Sequence, residues 1–260
     1  MERLLTETEL RQALARNELV LYYQPQIDMQ SRHMVAVEAL VRWNHPTRGL
    51  LCPDHFIPMA EHSELILPLG EWVLRVACKQ MRAWQLAGFT HIKRVAVNLS
   101  ARQLDLSDLP KLIASVLRES GLDAHHLELE ITESAAMRNP NHSIETLKAL
   151  RDMGVDLALD DFGTGFSSLT HFKLFPVTSL KIDKSFVRNV ETDRYDAEIC
   201  MATINMARKL GLRVVAEGVE TQGQFDFLSK LECSEAQGYL ISIPVLAEDL
   251  AQFAPSHIPC

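Results

Sequence analysis

A modified (β/α)8 barrel of the α/β class, TIM-like and with one antiparallel strand near its start, is the fold this 260-residue sequence predicts. Three observations predict it. Short apolar runs alternate with helix-period segments, the rhythm of a largely parallel sheet wrapped by helices. A polar side chain breaks the apolar run at or near the C-terminal end of seven strand segments: Glu38, Asn98, Glu130, Asp160, Lys181, Glu217 and Gln237. An open sheet concentrates its site at one switch point, whereas a barrel gathers every strand end on one face, so seven contributors favour the barrel. Finally, the first two strand segments have no crossover helix between them, and a parallel pair needs one.

The elements follow in order. The N-terminal MERLLTETELRQALARNEL is a charged helical pattern without a signal-peptide core. LVLYYQPQI (19–27) and VAVEALVRW (35–43) read as the antiparallel pair. A helix over about 66–87 carries Leu67, Leu74, Val76, Met81 and Trp84 on its apolar side, with Gly88 as its C-cap. RVAVNLS (94–100) leads to a helix over LPKLIASVLRES and Gly121; LELEITE (127–133) leads to one over SIETLKALRDMG. Then come VDLALDD (155–161), a helix near 166–173, SLKID (179–183), a helix near 196–210, RVVAEG (213–218), a helix near 221–231 and AQGYL (236–240). No repeat or low-complexity linker divides the chain, so one domain over 1–260 is expected, with its core at about 5–247 and a closing helix and tail at 248–260.

Composition narrows the function. Hydrophobic residues make up 47% and charged residues 23%, as in ordinary globular proteins. The net charge of -8 argues against a nucleic-acid partner, which would call for a basic face. The five cysteines (Cys52, Cys78, Cys200, Cys233 and Cys260) are scattered without metal-ligand spacing and read as reduced thiols of a cytoplasmic protein. No apolar run reaches transmembrane length. No membrane contact by this chain is expected, although a membrane-anchored sensor carrying it as an output domain is compatible with the sequence.

The strand-end set contains several carboxylates, an amide and a lysine, but no histidine or cysteine. Oxygen-only ligands suit hard divalent cations and disfavour zinc. Crowded carboxylates cannot all ionise without compensation, which such cations supply. Paired metals are a recurrent device for phosphodiester cleavage. Taken singly, each residue has a plainer reading as a solvated loop carboxylate or a helix cap. The Asp160–Asp161 pair could be turn chemistry, and Lys181–Asp183 a surface ion pair. The two aspartates of LALDDFGTGFSS would point to opposite faces of a regular strand, so the chain must bend at the strand's end to bring both inward. Gly163 and Gly165 supply an inexpensive tight turn there.

Together VEALVRW with PDHFIPMAE, VNLSARQ, LELEITES, LALDDFGTGFSSL, LKIDKSFV, VVAEGVE and AQGYL resemble the EAL domain family of cyclic di-GMP phosphodiesterases, over roughly residues 5–247. The resemblance implies a modified (β/α) barrel that hydrolyses cyclic di-GMP to linear pGpG with two Mg²⁺ or Mn²⁺ ions per site, Ca²⁺ being expected to inhibit. Position by position it implies metal ligation by Glu38, Asn98, Glu130, Asp160, Asp161 and Glu217, with Gln237 holding water at the metal site. Catalytic roles fall on Lys181, Glu217 and Glu38, where Lys181 acts either as a base or as a cation stabilising the transition state. Arg42, Gln24, Asp183 and Glu220 would bind substrate or lie beside it, although Arg42 could instead make a surface ion pair. Glu133, Gly163 and Gly165 would control a mobile loop that also contributes to a homodimer. One departure stands out: where the family often reads QGYLFSRP or QGYLFSKP, this chain reads QGYLISIP, with Ile241 and Ile243 in place of an aromatic and a basic residue. The alternatives are a catalytically silent cyclic di-GMP receptor and a barrel enzyme of unrelated chemistry.

Overall fold

The computed structural model describes residues 6–163 and 172–250. Nine strands are present among them: β1 (Leu19–Asp28), β2 (Met34–His45), β3 (Gly49–Leu51), β4 (Arg94–Asn98), β5 (Leu127–Thr132), β6 (Asp156–Phe162), β7 (Ser179–Ile182), β8 (Arg213–Ala216) and β9 (Glu235–Ala236). Their order is β1-β9-β8-β7-β6-β5-β4-β2-β3, and β1 also pairs β2, so eight strands close the barrel and β3 lies outside it. The early strand is antiparallel to both neighbours, β2 and β9, while the pairs from β2–β4 round to β8–β9 are parallel. A five-residue link turns β1 into β2, tightened by Asp28, whose Oδ1 accepts the Ser31 N–H at 2.6 Å, and by Arg32 at φ 59°.

Strand alternation sorts the side chains. In β5 Leu127, Leu129 and Ile131 face outward, buried against the helices, and Glu128 and Glu130 face the barrel interior. The same period gives the interior three layers. Arg94, Glu128, Asp156, Ser179, Arg213 and Glu235 lie at the strand starts and form a floor. Ala36, Ala96, Ala158 and Val215 fill the middle, fully buried yet apart from the outer core cluster. Glu38, Asn98, Glu130, Asp160 and Lys181 stand at the C-terminal mouth. Small residues in the middle layer leave room for long side chains from above and below.

Most expected helices are present, with shifted ends. The helix Leu109–Ser120 ends at Gly121 in the left-handed region (φ 67°), where a glycine carries no Cβ penalty. The long helix spans Ile66–Leu86 and is capped by Ala87, with Gly88 one residue later. Its buried stripe runs through Ile66, Leu69, Val73, Leu74, Ala77, Met81 and Trp84, whereas Leu67 and Val76 are only partly buried. AQGYL is not a strand throughout: ladder pairing stops at Ala236, because Gln237 and the residues after it turn across the mouth. The closing helix is only Ala247–Leu250 among the described residues, and the helix expected near 166–173 falls almost wholly outside them. Four short α-helices among the described residues went unforeseen, Ile57–His62, Ala101–Leu104, Glu133–Arg138 and Lys184–Arg188, each too short to show a helical period. No helix is long and apolar enough to cross a membrane among the described residues. Cys78, Cys200 and Cys233 are buried thiols, and Cys52 is exposed.

Candidate active site

Lys181 is the centre of the mouth. It is 1% exposed, on β7, and its Nζ lies 2.6 Å from Glu217 Oε1 and 2.7 Å from Glu130 Oε2. Glu38 Oε2 and Asp160 Oδ2 are each 3.8 Å away. Each carboxylate is delivered by a different strand or strand end, which is what the closed barrel provides. Burial pulls the Lys181 pKa down, but the surrounding Asp160, Glu130, Glu217 and Glu38 outweigh it and hold the ammonium well above its ordinary value. Without metal, Lys181 is therefore held as a cation.

One ammonium cannot balance four carboxylates. Burial, together with Glu38, Asp160 and Glu217, holds Glu130 well above the usual carboxylate range in spite of Lys181. Burial, then Asp160 and Glu38, push Glu217 up to about 8. Glu38 differs: burial raises it, but Lys181 and the amides of Gln237 and Asn98 outweigh burial, and its pKa falls below the ordinary value. No hydrogen-bond donor among the described residues reaches the buried Glu130 Oε1. An acidic, oxygen-only site with unbalanced charge and a bare carboxylate oxygen fits hard divalent cations.

An amide chain orients this site from the antiparallel strand. Gln237 Nε2 donates to Glu38 Oε2 at 2.6 Å and to Gln24 Oε1 at 2.9 Å. Gln26 Nε2 donates to Gln237 Oε1 at 2.8 Å, and Asn98 Nδ2 donates to Glu38 Oε1 at 2.7 Å. Gln237 thus presents its N–H to Glu38 while its oxygen is engaged by Gln26. Gln26, fully buried, escaped the sequence reading. Its signal was the spacing Gln24-x-Gln26, which puts both amides on the interior face of β1.

The aspartate pair is resolved by backbone geometry. Asp161 itself adopts φ 54°, and the β6–β7 register slips between Leu159 and Phe162, so one extra residue is accommodated on β6. Asp160 is nearly buried, and its Oδ1 accepts the Asp161 N–H at 2.9 Å. The bend expected at the glycines therefore begins at Asp161, where a short polar residue tolerates the left-handed conformation. Gly163 follows at φ 94°, while Gly165 lies outside the described residues. Burial, Asp160 and Asp183 raise the Asp161 pKa.

Other expected residues are more dispersed. Asp183 caps the helix Lys184–Arg188, its Oδ1 accepting the Ser185 N–H at 3.0 Å, so half of its carboxylate has a structural task. Arg42 makes no ion pair among the described residues; its guanidinium lies 5.8 Å over the Tyr22 ring and donates to the Val41 carbonyl. Glu133 is buried at the start of its helix, with Oε2 unpartnered among the described residues. Ile241 is buried and Ile243 is 60% exposed, so the aliphatic pair splits between packing and rim.

Two cavities flank the carboxylates. One of about 410 Å³ joins Glu38, Asp160, Glu217 and Glu220 to Lys184 and Arg188. The other, about 600 Å³, is largely apolar and runs from Asn98 past Leu40, Pro53 and Ile57 to Asp54 and Arg138. Part of its wall comes from the PDHFIPMAE segment, through Pro53, Asp54, Ile57, Pro58 and Glu61. A separate group, Asp123, His125 and His126, brings its ligand atoms within 4.8 Å of one another, but at the start of β5, by the floor of the barrel.

Fold and site together define an α/β barrel with an acidic mouth at the C-terminal ends of its strands. Residues 7–244 match the EAL domain family, and the chain belongs to it. Among curated relatives, it is 46% identical over 242 residues to the bifunctional diguanylate cyclase/cyclic di-GMP phosphodiesterase MucR of Pseudomonas aeruginosa, covering 93% of this chain and 35% of that protein. It is also 46% identical over 252 residues to the cyclic di-GMP phosphodiesterase NbdA of the same organism, covering 97% of this chain and 32% of that protein. The chain thus spans about a third of the length of these relatives. A solved structure of the PaMucR phosphodiesterase in complex with c-di-GMP superposes with a TM-score of 0.90 at 46% identity, covering 94% of this chain and 98% of that one.

Proposed function

We propose that this domain is a cyclic di-GMP phosphodiesterase that opens one phosphodiester bond of the ring to give linear pGpG, using two Mg²⁺ or Mn²⁺ ions. The observation that carries the reading is the cluster of Glu38, Glu130, Asp160 and Glu217 around a single buried Lys181. Similarity to two relatives named as cyclic di-GMP phosphodiesterases, and to one solved with c-di-GMP, supports the substrate.

Glu38, Asn98, Glu130, Asp160, Asp161 and Glu217 would hold the cations. When bound, the metals supply charge neutralisation and a more acidic water. The chain's own residues do the rest. Gln237 and Asn98 fix the Glu38 carboxylate by donating to its two oxygens. Gln24 and Gln26 in turn hold Gln237. Lys181, as a cation, would donate toward the attacking oxygen and stabilise charge growing on the phosphoryl group. The flanking cavities would receive the two nucleotide arms of the substrate. The reading extends to a single cytoplasmic domain that pairs as a homodimer and has no nucleic-acid partner.

The test is hydrolysis of cyclic di-GMP by the wild type and Glu38→Ala in Mg²⁺, Mn²⁺ and Ca²⁺, with pGpG resolved chromatographically. Turnover is expected with the first two ions, inhibition with the third, and none in the variant. Binding without pGpG formation would establish the silent receptor instead, and full activity in chelator would refute the metal requirement.

A further inference from the structure

We infer that Arg188, with Lys184 beside it, holds the phosphate of the cyclic dinucleotide that is not cleaved; this rests on the substrate reading above. The ring carries two phosphodiesters, each with one negative charge. The metal-binding mouth can neutralise the one being cut. The other still faces a protein of net charge -8, so it needs its own cation.

The structure supplies a cation pair in the right cavity. Lys184 and Arg188 line the same 410 Å³ space as Glu38, Asp160 and Glu217, and they are its only cations among the described residues. They stand four residues apart on the helix Lys184–Arg188, a spacing that puts both on one face. Arg188 is exposed, and no carboxylate among the described residues lies within ion-pair distance of its guanidinium. Lys184 is partly engaged, since it acts on Asp161 electrostatically. Arg188 is therefore the freer group, and its planar fork suits two phosphate oxygens at once. Arg42, the guanidinium singled out from sequence, rests instead on Tyr22 and lines neither flanking cavity.

The pair is also held in register with the reacting centre. Gly218, immediately after Glu217, sits at φ 66° against Lys184, so close that a Cβ added there would come within 2.6 Å of Lys184 Cβ. The Arg188 carbonyl accepts from Gln224 Nε2 at 3.1 Å, and Gln224 Oε1 accepts the Glu220 N–H at 2.7 Å. The backbone beneath both cations is thus tied to the segment that carries Glu217 and Glu220. Glu220 lines the same cavity, and its carboxylate limits how strongly the pair attracts anions in general.

The experiment compares wild type, Arg188→Ala, Arg188→Lys and Lys184→Ala with two ligands in Mg²⁺. Cyclic di-GMP is the first. The second is guanylyl-(3′→5′)-guanosine, which keeps both bases and one phosphodiester but lacks the second phosphate, and is read as a competitive inhibitor. Arg188→Ala should raise KM for cyclic di-GMP about tenfold, the loss of one charged hydrogen-bonding contact, with kcat nearly unchanged. Arg188→Lys should recover part of the loss, Lys184→Ala should cost less, and the deficit should shrink in high salt. Inhibition by the single-phosphate dinucleotide should be the same in wild type and variants. An unchanged KM in Arg188→Ala overturns the inference, and so does an equal loss for both ligands, which would place Arg188 on a base. Failure of the wild type to bind or cleave cyclic di-GMP would instead defeat the substrate reading, and the inference with it.

Discussion

Glu128 and Glu130 stand two residues apart on β5, face the same barrel interior and are both buried, yet their acidities move in opposite directions. At the floor, burial raises Glu128, but Arg94 and Arg213 outweigh it and hold its pKa below the ordinary range. Arg94 Nε lies 3.2 Å and Arg213 Nη2 2.6 Å from its oxygens, and Ser179 donates at 3.0 Å. The ring continues through Glu235, which pairs with Arg94, and Asp156, which pairs with Arg213 and Arg151. At the mouth, Glu130 has one lysine to share among four carboxylates. The floor sets two arginines against its acids, although Arg213 Nη1 lacks a hydrogen-bond partner among the described residues and burial still raises Glu235, whereas the mouth sets one lysine against four carboxylates. One strand thus carries an acid of the floor and an acid of the mouth, separated by a layer of small side chains.

The sharpest way to break this comparison is to neutralise each glutamate in turn. Glu128→Ala should leave the buried Arg94 and the half-buried Arg213 short of a partner and cost about 3–5 kcal/mol, read from the denaturant midpoint. Glu130→Gln in metal-free protein should cost nothing, or stabilise by about 1 kcal/mol, because it relieves a charge excess at a functional site. It should nevertheless abolish turnover. Equal destabilisation by both changes would erase the distinction between floor and mouth.

That contrast also explains what the sequence could and could not disclose. The mouth was legible because Glu38, Asn98, Glu130, Asp160 and Lys181 each interrupt an apolar run near its end. Floor residues such as Arg94, Arg213 and Glu235 begin their strands, where a charged residue looks like an ordinary loop boundary. The LELE pattern of β5 held both layers, but a two-residue period says which face a side chain takes and not which partner meets it. Pairings such as Gln26 with Gln237 join residues 211 positions apart and follow from barrel closure alone. β9 was overread because Gln237 continues an apolar segment after its ladder has ended.

Adding Mg²⁺ or Mn²⁺ sharpens the comparison further. A cation that binds only the folded mouth should stabilise wild type by about 2.7 kcal/mol at a hundredfold excess over its Kd, measured as a shift in the unfolding transition. Glu130→Gln should lose most of that shift, whereas a conservative Glu128→Gln, although less stable throughout, should retain it. A metal-induced shift that survives Glu130→Gln would move the cation site elsewhere, with Asp123, His125 and His126 the next place to look.

Acidification distinguishes the layers by sign. The folded pKa of Glu128 is depressed, so its contribution is fully present above the unfolded carboxylate value of about 4.3 and is lost as pH falls through the folded value. Glu130, raised in the fold, contributes in the opposite sense and eases as it takes up a proton. In chelator, wild type should therefore lose more stability below about pH 4.3 than Glu128→Gln does. Parallel pH profiles would mean that the floor arginines do not hold Glu128 ionised.

The smallest expected effect is at Asp161, where backbone and charge can be separated. Its left-handed φ of 54° makes the β6 bulge, and asparagine adopts that conformation about as readily as aspartate. Asp161→Asn should change stability by less than about 1 kcal/mol, since asparagine keeps both the bulge and a polar side chain. Asp161→Ala should cost about 1 kcal/mol more, because alanine brings a Cβ to the same conformation without a polar group to compensate. If cation binding is what the pair serves, both variants should weaken Mg²⁺ affinity alike despite their different stabilities. Should asparagine preserve affinity while alanine loses it, Asp161 would be a backbone device that aims Asp160, and its carboxylate would be incidental.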